Sequence, residues 1–449
     1  MSQKQTVKPY FNKLADSMSW VCVGLMILLP FHALFTTWLG SRVGHLDLWR
    51  IWKELLIVPL LAGCVLLLVL HKQTRTLFNK DRLTWLILAY IGLQVIAGLI
   101  ALAAGRVNGS ALIYGWFADG RFLVFFLIVR LLAGESSVLP RRWRTILLYP
   151  AVVVIGFGLL QLILPADFLR HFGYGPGTIL PYQTVDLKPD FVRLQSTLRG
   201  ANPLGAYLVL VLSAVVAGLL WMRRKAAYAV LLITGTIVLF LTYSRSAYLG
   251  LLVSIGLLMF MTVRSPKGRK QVSVGLLLAM AVLIGGLLAF GSTRFVQNTL
   301  LHTDKTSKSA ESSNAVRRSA ITQNAQDALR HPLGQGPGTA GPASVRNNQP
   351  KIAENYFIQI AQEVGIAGLV LLLAIFAVVA WRLWNLKEQP LAALLLASFT
   401  GLFVVNMVSH AWTDDTLGLL WWGLAGIALA EPAILKHKNH GSQKTHKKA

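Results

Sequence analysis

Four short stretches put polar and charged side chains at the ends of apolar runs. "STLRGANPLG" carries Arg199 and Asn202 immediately before one run, with Arg193 a short step earlier. "LTYSRSAYLG" is a hairpin with room for little beyond Ser244, Arg245 and Ser246. "ENYFIQIAQEVGIAG" opens on Glu354 and Asn355, and "SHAWTDDTLG" sets His410, Asp414 and Asp415 between the last two runs. Charge in or beside hydrocarbon costs at least ~2.5 kcal/mol for a central Arg or Asp. Positions that keep it are therefore candidates for chemistry. Arginine binds phosphate through forked, charge-assisted hydrogen bonds, and a nearby carboxylate or imidazole can take a proton from an attacking hydroxyl. Together they suit transfer from a phosphate-activated donor whose lipid tail lies in the bilayer, with arginine stabilising the charge that grows on the leaving group. Asp414 and Asp415 are the one pair of adjacent candidate carboxylates, fewer oxygens than magnesium usually needs. Metal-independent chemistry without a cofactor is expected.

Each residue also has a plainer reading. An Arg at a helix end snorkels to the headgroups, and Asp414, Asp415 or Glu354 could simply cap the helix that follows. Arg245 stands out because it opposes the usual charge bias of an outer turn. Asp119 and Arg121 in "ADGRF" lie two residues apart inside an apolar run and are expected to neutralise each other in the bundle interior.

These groups must be held by membrane helices. Of 449 residues, 55% are hydrophobic and 14% charged, too little charge to cover a soluble chain of this length. Twelve apolar runs recur: 18–36, 51–70, 84–104, 111–133, 145–164, 201–222, 226–243, 247–263, 271–290, 356–381, 391–409 and 416–434. Each is long enough to cross ~30 Å of hydrocarbon. The fold class is all-α, a polytopic transmembrane bundle of about twelve spans. The first run has no cleavage-site pattern after it and reads as a retained helix. Lys and Arg gather in alternate loops, from Lys4, Lys8 and Lys13 to the Lys436–Lys448 tail. The net charge of +25 is then largely topological and places both termini in the cytoplasm, with no nucleic-acid role. Cys22 and Cys64 read as buried packing residues.

Two long outer segments follow from that topology, 165–200 and 291–355, and 435–449 is a cytoplasmic basic tail. Val316, Ala320, Ile321, Ala325, Ala328 and Leu329 predict a short helix in the second segment, begun by Ser312 or Ser313 and stopped before Pro332. "GQGPGTAG" (334–341) lacks the ending of a phosphate loop and reads as a flexible turn.

The chain resembles the O-antigen ligase and polymerase superfamily, polytopic glycosyltransferases that use polyprenyl-pyrophosphate-linked glycans. The likeness rests on "LTYSRSAYLG", on "RGANPLGAYL", and on "HPLGQGPGTAG" followed by "ENYFIQIAQEVGIAG". In the last, Asn355 is followed by nine residues and then Gly365-Ile-Ala-Gly368, the spacing of the ligase signature. Its leading His is Glu354 here. The resemblance implies that Arg199 and Arg245 bind the donor pyrophosphate, assisted by Arg317 or Arg318, with Arg193 close by. It implies that Glu354 activates the acceptor hydroxyl, with His331 as the alternative base, that Asn355 orients it, and that the anomeric centre inverts. Tyr356, Tyr174 and Tyr182 could stack on sugar rings.

The expected function is therefore transfer of a preassembled glycan from a polyprenyl-pyrophosphate carrier to a lipid- or protein-linked acceptor at the outer face of the plasma (inner) membrane. An O-antigen-type polymerase and a protein O-oligosaccharyltransferase are the near alternatives. A lipid-linked glycan flippase is the distant one; it expects repeat symmetry and a polar site at mid-membrane, and the polar groups here gather at one face.

Overall fold

The computed structural model describes residues 3–430 except 186–187, 224, 264, 269, 272–273, 275–284, 286–288, 291, 294–295, 298–312 and 349. The run at 271–290 and the basic tail thus fall largely or wholly outside the described residues. The chain is an all-α membrane bundle. Helix α1 (Gln3–Leu28) passes through a 3-10 turn at Leu29–Phe31 into α2 (His32–Val43). Then come α3 (Leu46–Arg50), α4 (Trp52–Leu70), α5 (Lys72–Lys80), α6 (Arg82–Ala103), α7 (Gly109–Glu135) and α8 (Val138–Leu160). A small antiparallel hairpin follows, β1 (Gln183–Val185) and β2 (Lys188–Arg193), with Gln183 opposite Arg193. The remainder is α9 (Ala201–Trp221), α10 (Lys225–Leu241), α11 (Arg245–Thr262), α12 (Ser313–Arg330), α13 (Tyr356–Asn385), α14 (Pro390–Asn406) and α15 (Asp415–Ala428).

Among the described residues, eight helical segments are long and apolar enough to span a membrane, and α10 and α14 are shorter apolar helices. α9 is the buried centre, packed on α10, α11 and α14. α4 and α6 turn wide apolar faces outward, including Leu55, Val58 and Val65, which hydrocarbon can cover without cost. Small residues let helices close up. A Cβ on Gly250 of α11 would stand 2.8 Å from the carbonyl oxygen of Gly401 on α14. Nearby, Ser213 and Ser254 share a buried 2.5 Å hydrogen bond between α9 and α11.

Two expectations change. Asp119 and Arg121 do not form a closed pair. Residues two apart on a helix face opposite ways, so Arg121 reaches Glu54 at 2.7 Å and also Asp415. Asp119 turns to Gln359, whose Nε2 lies 3.3 Å from both its carboxylate oxygens and from Glu363 Oε2. Nor is 334–341 a flexible turn. Helix α13 breaks at Gly365, where φ is 79°, and the loop fills the break. Gln335 and Gly336 donate their amides to the carbonyls of Gln362 and Glu363, and Ile366 donates to Pro332. The Glu363 carboxylate accepts from the amides of Gly338 and Ala340 at 2.8 and 3.2 Å. Broken helix groups need such partners. A side chain at Gly365 would meet the Leu333 carbonyl carbon at 2.6 Å, so the motif glycine permits the docking.

Candidate functional site

The loop between β2 and α9 and the turn between α14 and α15 meet through one ion pair. Arg199 Nε lies 2.8 Å from Asp414 Oδ2. Asp414 also caps α15, its Oδ1 accepting from the amides of Thr416 and Leu417 at 3.0 and 3.2 Å. The capping and ligand-facing readings of this carboxylate therefore coexist. Arg199 sits deep in the protein, yet 43% of its side chain is accessible because it lines a cavity of about 940 Å³. Burial works against its charge, but Asp414 more than offsets this and holds the guanidinium above the ordinary arginine range.

Glu354 and Asn355 occupy the head of α13. Glu354 has a left-handed backbone, φ 53°, and its Oε2 lies 3.3 Å from Arg317 Nε on α12. Asn355 caps α13 by accepting from the Ile358 amide at 3.0 Å, and its Nδ2 donates to the Met407 carbonyl at 2.7 Å. That second bond ties the head of α13 to the turn that holds His410 and Asp414. The turn itself is anchored by Trp412, fully buried against Phe376, Phe399, Trp421 and Trp422. His410 Nε2 is buried with no hydrogen-bond partner among the described residues. Burial, then the charges of Arg199 and Arg317, push its pKa down to about 4. Arg317 of α12, Glu354 and Asn355 at the head of α13, His410 in the turn after α14 and Arg199 before α9 are thus neighbours.

Arg193 braces the other side. Its Nε donates to the Thr242 carbonyl at 2.8 Å and its guanidinium to Asn202 Oδ1 at 2.6 Å. Thr242 precedes Ser244, the residue before α11, so Arg193 fixes the hairpin from which the half-buried Arg245 begins that helix. Arg193 and Asn202 line a second cavity, of about 1070 Å³, with Tyr174 and Tyr182 on its wall. Leu180 and Gln183 line both cavities, so the two share a partition.

Three sequence candidates stand apart. His331 follows the last residue of α12, and fourteen helical residues from Arg317 place it roughly 20 Å along the axis. There it engages Asp327 at 3.3 Å and Gln335 at 3.2 Å, which holds it away from Glu354. Arg318, one residue round from Arg317, is exposed. Tyr356 is fully buried beside Phe357, a packing position that offers no face to a sugar.

The cavity also holds residues the sequence reading passed over. Lys53, only 3% exposed, lies 3.2 Å from Glu54 and 3.0 Å from Asp415. His32 lies 3.0 Å from the same Asp415 oxygen. The signal was present: "WKEL" places Lys53 and Glu54 at the head of an apolar run, the criterion that singled out Arg199.

Residues 229–373 match a protein-family model described as O-antigen ligase. The matched stretch includes Arg245, Arg317, Arg318, His331, Glu354, Asn355 and Tyr356; Arg193 and Arg199 precede it. No curated protein matches the chain.

Proposed function

We propose that this chain, whose residues 229–373 match the O-antigen ligase family model, moves a preassembled glycan from a polyprenyl-pyrophosphate carrier to an acceptor at the outer face of the plasma membrane. The observation that carries this reading is the placement of Arg199. It is a guanidinium deep in the protein that nevertheless fronts a cavity of about 940 Å³ beside Asp414, and its charge, with that of Arg317, acts on His410 in the turn that follows α14.

In this reading Arg199 and Arg317 grip the pyrophosphate, and Arg245 reaches it from the neighbouring hairpin. Their charges stabilise the leaving lipid pyrophosphate. Glu354 and Asn355 form the acceptor rim, where the acceptor hydroxyl gives up its proton as it attacks. Attack opposite the leaving group inverts the anomeric carbon. Arg193 holds the hairpin in place, and Tyr182, 39% exposed on the second cavity, offers a ring for a sugar. Both termini lie in the cytoplasm. Ligase, polymerase and protein O-oligosaccharyltransferase share this chemistry and differ in acceptor.

Mass spectrometry of glycoconjugates in cells with and without the gene tests the reading. Loss of a glycan from a lipid, a protein or a lengthening polymer identifies the acceptor. Unchanged glycoconjugates, or wild-type yields from both Arg199→Ala and Arg245→Ala, would remove the proposal. A transporter reading draws on one observation, the charged group of Lys53, Glu54 and Arg121 inside the bundle. Substrate counterflow in proteoliposomes with no covalent product would put it first.

A further inference from the structure

We infer that His410 takes the proton from the acceptor hydroxyl in this reaction and that Glu354 instead holds Arg317 in place; the inference rests on the glycosyl-transfer reading above. Glu354 is poorly placed to be the base. Its carboxylate is 37% exposed and engaged with Arg317 at 3.3 Å, whereas a carboxylate base gains strength from a poorly solvated, unpaired setting. His410 has what Glu354 lacks. Its Nε2 is buried without a partner among the described residues, and buried polar nitrogens are rarely left so. In the Nδ1-protonated tautomer that atom is an acceptor with its lone pair unused.

Its position also fits. The turn is tied at Met407 to Asn355, the residue next to Glu354. Four residues past His410, Asp414 is tied to Arg199. His410 therefore stands between the acceptor rim and the phosphate-binding arginine. The charged groups that face it are Arg199, from the loop before α9, and Arg317, from α12. Their nearest counter-ions, Asp414 and Glu354, are already engaged with them.

The step balances. The acceptor O–H bond breaks and its proton moves to Nε2 of His410. The freed oxygen pair forms the new bond to the anomeric carbon, and the bond from that carbon to the pyrophosphate oxygen breaks. Its electron pair leaves on the lipid pyrophosphate, against Arg199 and Arg317, and the imidazolium then releases its proton to water. Donor binding primes this step. In the resting site burial, and after it the charges of the two arginines, keep the imidazole neutral and weakly basic, and a bound pyrophosphate offsets the arginines' share and raises its basicity. The base is then strongest when the donor is in place.

The test uses the full-length chain. In deletion cells complemented at matched membrane levels, His410→Gln is expected to cut glycoconjugate formation at least ~100-fold, and Glu354→Gln less than about tenfold. In wild-type membranes carrying their own lipid-linked glycan, the acid limb of the pH–rate profile is expected to persist in Glu354→Gln and to vanish in His410→Gln. Histidine NMR on the purified protein gives a readout independent of turnover. The His410 resonance, assigned by difference from His410→Asn, is expected to titrate near pH 4 alone and at higher pH with undecaprenyl pyrophosphate. A midpoint that the lipid leaves unmoved overturns the inference. So does a His410→Gln variant that transfers at the wild-type rate. A wild-type protein whose cells match the deletion overturns the transfer reading itself, and the first two outcomes remain distinguishable from that one.

Discussion

Arg199 and Asp414 join two stretches of the chain that are 215 residues apart, at an Nε–Oδ2 separation of 2.8 Å. The same carboxylate closes the first turn of α15 through two backbone amides. One side chain thus serves as a helix cap and as the resting counter-ion of the arginine that faces the cavity.

Arginine at 199 is expected to be hard to replace. Arg199→Lys keeps the charge but loses the fork that binds two phosphate oxygens at once. Transfer is expected to fall at least ~30-fold, from about 2 kcal/mol of lost charge-assisted bonding. Lys at this position transferring as well as Arg, at equal membrane abundance, would show that Arg199 does not grip a phosphate.

Asp414 separates its two duties on substitution. Asp414→Ala removes the cap and is expected to destabilise by ~0.5–2 kcal/mol, read as a lower melting temperature in detergent. Asp414→Asn restores most of the cap while freeing Arg199 of its counter-ion. Binding of undecaprenyl pyrophosphate by the Asn variant is expected to be tighter than by wild type. Weaker binding would mean that Asp414 positions the guanidinium and does not compete for it.

Gly365 tests the docked loop. Gly365→Ala introduces a left-handed non-glycine residue and a Cβ 2.6 Å from backbone atoms of Pro332 and Leu333. An expected loss of ~3 kcal/mol or more follows from the strain and the displaced loop. Gly92→Ala, on α6 with open space around its Cβ, is the control. It is expected to hold or raise stability by up to ~1 kcal/mol. Equal melting temperatures for the two variants would argue against the docking.

His410 predicts a pH dependence of stability. The unfolded chain takes up its imidazole proton near pH 6.5, while the folded chain resists until pH falls to about 4. Between these values the unfolded state holds more protons, so stability drops as pH falls from 6.5 towards 4 and is unaffected by this group above 6.5. Denaturation across pH 4–8 in detergent is expected to show this acid sensitivity, weakened in His410→Gln. A slope unchanged by the substitution would show that His410 ionises freely in the folded protein.

Glu363 is expected to tolerate an amide and not a truncation. Glu363→Gln keeps an oxygen for the amides of Gly338 and Ala340 and puts a neutral amide beside Asp119. Glu363→Ala leaves those amides and Gln359 with unmet hydrogen bonds, a cost of ~1–3 kcal/mol for each group. Measured unfolding in detergent should rank wild type and Gln close together, with Ala well below.

The fold class was legible because crossing hydrocarbon sets a run length that survives in the sequence, whatever the helices pack against. Partners were less legible. Asp119 and Arg121 looked like neighbours, but the 100° step of a helix sends them to Gln359 and to Glu54 by separate directions. The loop 334–341 looked loose by its glycine count, yet those glycines let its backbone lie against α7 and α13: a Cβ at Gly338 would meet the Ala111 carbonyl oxygen at 2.4 Å. Lys53 and Glu54 could have been found by the cost of charge at a helix head. The convergence of His410 with Arg199 and Arg317 could not, because it depends on how three distant turns stack.

Asp327 has a wider consequence. It lies 2.9 Å from Lys351 and accepts from Gln335 at 2.9 Å and Gln362 at 2.8 Å, so α12, the docked loop and the first half of α13 are riveted into one block. Arg317 and Glu354 ride on that block, whereas Arg199 and Asp414 belong to the wall opposite. The 2.7 Å bond from Asn355 to Met407 is a stitch across the seam. Were the mouth to widen for a bulky sugar chain, the two halves would part along this line, each keeping its internal geometry intact.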